Sequence, residues 1–176
     1  MVNRKNILTL PVFWARIRQG TYQMKSIVVI GLGNPILSDD SVGVRVARQL
    51  KAELKDCDGI EVKELYAGGM RVMDAIAGFD KAIIIDAMQT GLHAPGTIRL
   101  IAETDLGAAR NLASTHDTNL PTALALGRML GLSMPHDVKV FGIEARDVEN
   151  FSEDLTEDVE RSVPEVVSMV LKEVMP

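Results

Sequence analysis

Apolar positions recur along the chain in two periods. Residues 26–33 (SIVVIGLG) are a short β-branched run ended by glycine, the pattern of a strand buried on both faces. Residues 81–87 (KAIIIDA) repeat it. Residues 59–66 (GIEVKELY) and 96–102 (GTIRLIA) alternate as half-buried strands do, with Ile98 and Leu100 marking the apolar face of an outer strand. Residues 137–144 (DVKVFGIE) read as a fifth strand. Helical spacing separates these runs. It places Val44, Ala47, Leu50 and Leu54 on one face of 41–54 and predicts a short helix over 70–77 stopped by Gly78. It continues over 117–131, with Pro121 in the first turn, and over 155–174, where Pro164 predicts a kink or restart.

The order β α β α β β α β α predicts an α/β fold. It reads as a single three-layer domain, a twisted and mostly parallel five-stranded sheet with helices on both faces. Sites in such sheets form at the carboxyl ends of the strands. Three segments predicted at that edge carry Asp39 and Asp40 (GLGNPILSDDSVG, 31–43), Asp86, and His116 (LASTHDTNL, 112–120). Two carboxylates and an imidazole make a three-ligand site with open positions, suited to a borderline divalent metal such as nickel or zinc. His116 stands at a helix start, where the dipole disfavours the imidazolium and leaves the ring able to ligate. Each residue also has an ordinary reading. An acid before Ser41 caps a helix, Asp86 bonds its own loop, and His116 is a surface residue beside a cap.

Composition narrows the picture. A chain of 176 residues, 47% hydrophobic and 24% charged, is globular and one domain long. No apolar run reaches the ~18 residues of a membrane span. Cys57 is the single cysteine, which excludes an internal disulfide and a cysteine-rich zinc site and fits a reducing, cytoplasmic compartment. The net charge of −5 is uneven. Residues 1–25 hold Arg4, Lys5, Arg16, Arg18, Lys25 and no acid, leaving 14 cations against 24 acids, or −10, on the rest. Such a body repels phosphate backbones, so nucleic acid is not an expected partner.

Residues 1–23 read as an N-terminal extension, dispensable for folding, and 24–176 as the domain. The apolar stretch ILTLPVFWA is a poor signal peptide, because Pro11 interrupts it and Arg16 and Arg18 follow at once. Met24 then opens MKSIVVIGLGN like a natural start. Other chemistries fare worse. Gly31-x-Gly33 lacks the third glycine of a dinucleotide fingerprint, where Ile36 stands. Ser114, His116 and Asp117 are too close in sequence to form a triad. The acids flanking Cys57 argue against a nucleophile. His93 reads as a solvated loop residue and His136 as incidental, at the opposite edge.

Four segments, taken in order, resemble the hydrogenase maturation proteases: GLGNPILSDDSVG, IIIDA (83–87), STHDTNLPTALALGRMLG (114–131) and FGIEARDV (141–148). The resemblance spans about residues 24–174. It implies a cytoplasmic endopeptidase that removes a C-terminal peptide from the large-subunit precursor of a nickel-iron hydrogenase after nickel insertion. It places the family's metal-binding positions on Asp40, Asp86 and His116, which would then also be the catalytic residues. Nickel would be carried by the precursor or bound at the site. Ser41 stands where many relatives have glycine, and Asp40 where some have glutamate. Adjacent residues at a helix start point about 100° apart, so one loop aims only one of the two acids at a metal. Asp40 takes that role, and Asp39 is left to bond backbone amides at the helix start, where asparagine would serve almost as well. Two other readings stay open. One is a non-catalytic chaperone that recognises the nickel-loaded precursor. The other is a peptidyl-tRNA hydrolase, suggested by GLGNP, though its histidine is missing until His93.

Overall fold

The computed structural model describes residues 26–66, 69–106 and 120–175. The expected N-terminal extension and the segment holding His116 lie outside these residues. Five strands form one sheet: β1 (Ile27–Leu32), β2 (Ile60–Leu65), β3 (Lys81–Met88), β4 (Ile98–Ala102) and β5 (Asp137–Glu144). The helices are α1 (Val42–Glu53), α2 (Met70–Ile76), the single turn α3 (Glu103–Leu106), α4 (Leu120–Met129) and α5 (Glu157–Val174). A 3-10 turn, Ser38–Ser41, leads into α1.

The strand order is β2-β1-β3-β5-β4. All neighbours run parallel except β4, which is antiparallel to β5. The link from β3 to β4 spans only residues 89–97. A parallel return needs a crossover of a dozen residues or more, so β4 comes back reversed. As expected it is an outer strand, but its buried side chain is Ile101, while Leu100 is exposed. The turn α3 after it was not anticipated. Pro164 causes no break: α5 runs through it, with the proline on the solvent side where the lost hydrogen bond costs least.

Alternation along the strands divides the core in two. Ile83 and Ile85 of β3 face α1 and α5, meeting Val46, Leu50, Val163 and Val166. Ala82 and Ile84 face α2 and α4, meeting Val72, Ile76 and Leu124. The register pairs Gly31 of β1 with Ile85 of β3, and Asp86 with Gly142 of β5. One contact seats α1 on the sheet. A Cβ on Gly31 would stand 2.1 Å from the Gly43 carbonyl oxygen, and a Cβ on Gly43 would stand 2.3 Å from the carbonyl oxygens of Leu32 and Ile85. Only two glycines let the first turn of α1 lie this close to β1 and β3. The 3-10 turn just before α1 is thereby carried to the carboxyl half of β3, where Gly43 meets Ile85, the residue before Asp86.

Candidate functional site

The segment between β1 and α1 is built from backbone constraints. Gly33 adopts φ +139°, and a Cβ there would lie 1.8 Å from the Asp40 carbonyl oxygen. Ser38 sits in the left-handed region at φ 38°, which costs a non-glycine residue about 1–2 kcal/mol. It is held there because its amide donates to Ser152 O (2.8 Å) and its hydroxyl to Asp154 O (3.3 Å). Ser152 N returns a bond to Ile36 O (3.1 Å), and Leu37 bridges Ser152 as in a parallel sheet. Two distant segments are thus laced together, and the acid pair is carried between them.

Asp39 and Asp40 are both fully buried, and they point to different partners. Asp39 does not cap its own helix, contrary to the sequence expectation. Its Oδ2 accepts from the amides of Arg146 (2.9 Å) and Asp147 (3.0 Å) and from the Thr156 hydroxyl (2.9 Å). Its Oδ1 accepts from Thr156 N (2.7 Å), the residue that begins α5. Those donors lie 107 to 117 residues away in sequence, beyond the reach of local pattern reading. Asp147, which presents one of them, is itself fixed by its own turn. The Asn150 side chain (2.9 Å) and the amides of Asn150 and Glu149 (3.1 Å each) donate to it, and hold its carboxyl below the usual carboxylate range. Asp40 Oδ2 accepts from Asn34 N at 2.6 Å.

Asp86 lies in β3, two residues before the strand ends, and is half-buried with Oδ1 shielded from solvent. By alternation it shares the sheet face of Ile84, the face that α4 covers. The link from α4 to β5 stands at the amino edge of the sheet, where His136 N donates to Asp80 O (3.0 Å). The first turn of α4 is therefore at the carboxyl edge with Asp86, about 15 Å away along the helix. His116 precedes that turn by four residues of sequence, outside the described residues. The structure thus brings Asp39, Asp40 and Asp86 to one edge and leaves the third member of the trio untested. Among the described residues no cluster of three His, Cys, Asp or Glu suited to a metal occurs. His93 is exposed in the loop after β3, and His136 is exposed at the opposite edge.

One buried acid at this edge was missed. Glu144, the last residue of β5, is 2% exposed. It accepts from the amides of Thr90 (2.8 Å) and Gly91 (2.7 Å) and from the Thr90 hydroxyl (2.7 Å). The signal was present in FGIEARDV, where a lone acid ends an apolar strand.

Comparison with known proteins agrees with this fold. The family model described as "Hydrogenase maturation protease" matches residues 44–173. The hydrogenase 2 maturation protease of Escherichia coli is 29% identical over 146 residues, 82% of this chain and 88% of that protein. The hydrogenase expression/formation protein HoxM of Azotobacter vinelandii is 26% identical over 151 residues, 84% of this chain and 71% of that one. The solved structure of the hydrogenase maturating endopeptidase HybD from E. coli superposes with a TM-score of 0.71 at 27% identity, covering 85% of this chain and 91% of that one. With its fold and most of its length matched in this way, the chain belongs to the hydrogenase maturation protease family.

Proposed function

We propose that this endopeptidase removes the C-terminal peptide from the nickel-loaded large-subunit precursor of a nickel-iron hydrogenase, with Asp40, Asp86 and His116 gripping the metal. The observation that carries this reading is the seating of Asp40 and Asp86 at the carboxyl ends of β1 and β3, beside the edge where α4 begins. The donor set fits. Two carboxylates and an imidazole, with no thiolate, suit a borderline divalent ion. When held there, the metal supplies Lewis acidity toward the scissile carbonyl or an attacking water. The chain's own part is positional. Asp39 ties the acid-bearing turn to the start of α5, and the Asn34 amide orients Asp40. No serine or cysteine nucleophile is required.

Membership of a protease family sets aside the non-cutting chaperone and the peptidyl-tRNA hydrolase. Among the described residues no helix is long and apolar enough to cross a membrane. The single cysteine favours action in a reducing compartment such as the cytoplasm. The test is mass-spectrometric detection of the released C-terminal peptide from nickel-loaded and nickel-free precursor. Release from the loaded form alone is expected, and efficient cutting of the nickel-free form would contradict recognition through the metal.

A further inference from the structure

Glu144 holds both ends of the segment 89–97 that follows the Asp86 strand. Its side chain binds Thr90 and Gly91 at the start. Its carbonyl accepts from Gly96 N (2.7 Å) and its amide donates to Thr97 O (2.9 Å) at the end. The Thr90 hydroxyl passes the order on, accepting from Leu92 N at 3.2 Å. Burying an ionised carboxylate is costly unless its oxygens are satisfied, and here every one of these partners belongs to a single loop. That loop has little core of its own. Residues 91–94 are exposed, and Leu92 stands 71% accessible at the tip. A polar staple, and not apolar burial, therefore fixes an apolar side chain in solvent a few residues from Asp86.

We propose that Glu144 is a positioning residue that preorders the 89–97 loop as a contact for the precursor polypeptide, with Leu92 as the contacting side chain. This rests on the proteolytic reading above and adds a specificity element to it. Preordering lowers the entropy lost on binding, so its removal weakens substrate capture and not the chemical step.

The geometry also predicts which substitution rescues. In Glu144→Gln the amide oxygen can keep both backbone donors, and the new amine can donate to the Thr90 hydroxyl. In Glu144→Ala both amides lose their partner.

The experiment measures KM, kcat and melting for wild type, Glu144→Ala, Glu144→Gln, Thr90→Val and Leu92→Asp on nickel-loaded precursor. Leu92→Asp and Glu144→Ala should raise KM about tenfold or more with kcat within about twofold, while Glu144→Gln stays near wild type. If Glu144→Ala fails to fold, Thr90→Val replaces it, with a smaller rise in KM expected. An unchanged KM in Leu92→Asp, or Glu144→Gln as impaired as Glu144→Ala, would overturn the proposal. So would loss of self-association, in place of substrate capture, in Leu92→Asp. Failure of wild type to cut would instead count against the proteolytic reading. Calorimetric affinities of wild type and Leu92→Asp for the precursor then decide the loop's role, equal values overturning it.

Discussion

Glu173 at the amino edge of the sheet and the buried acids at its carboxyl edge are held in different ways. At the amino edge, Glu173 of α5 meets two cations, Lys139 at 2.7 Å and Lys81 at 3.0 Å, and all three side chains keep some exposure. Lys81 also donates to the Glu173 carbonyl at 3.1 Å, closing the C-terminal turn of α5. At the carboxyl edge, Asp39 and Glu144 are buried and are met by backbone amides and hydroxyls. Lysines neutralise a charge and hold it loosely. Amides and hydroxyls fix an oxygen in place by direction. The first arrangement serves as a clasp, and the second fixes the geometry of the carboxyl edge.

Replacing Asp39 breaks this contrast most severely. Both its oxygens receive N–H donors, so an asparagine amine must face one of them. Asp39→Asn is expected to cost about 2–4 kcal/mol and to lower Tm by roughly 5–15 °C. That corrects the reading of Asp39 as a replaceable helix cap. Unchanged melting would show that the tie between the acid turn and α5 carries no energy.

A smaller effect sharpens the other side. The hydrogen bond from Lys139, and then that from Lys81, holds the Glu173 carboxyl below the usual range. A depressed acid stabilises the fold above its unfolded pKa and loses that contribution as pH falls through the folded value. Glu173→Gln should therefore cost only about 0.2–1 kcal/mol near pH 7, less in high salt, and nothing once Glu173 is protonated. Denaturation of wild type and variant across acid pH checks this. A gap that widens toward low pH would mean the sign is wrong.

The elements were legible because burial writes a period into the sequence. KAIIIDA and SIVVIGLG are central strands, and Val159, Val163, Val166 and Val170 face one core. The edge holding the acids followed from the alternation of strands and helices, which sets sites at the carboxyl ends of the strands. What could not be read is non-local. Nothing near Asp39 announces donors more than a hundred residues away, and Glu144 shows its purpose only once β5 lies beside β3. The reversed β4 was hidden because a half-buried strand alternates alike in either direction. Pro164 misled because a solvent-facing proline in a long amphipathic helix is tolerated.

The central claim is that Asp40 and Asp86 act on substrate while Asp39 holds the structure that carries them. It is tested most directly by assaying precursor processing and thermal melting together for Asp40→Asn and Asp86→Asn. In Asp40→Asn the side-chain oxygen can still accept from Asn34 N, so that bond is kept. The account predicts that both variants melt within about 3 °C of wild type and release no C-terminal peptide, because an amide is a poor ligand for a divalent cation. Normal processing by either variant would contradict it.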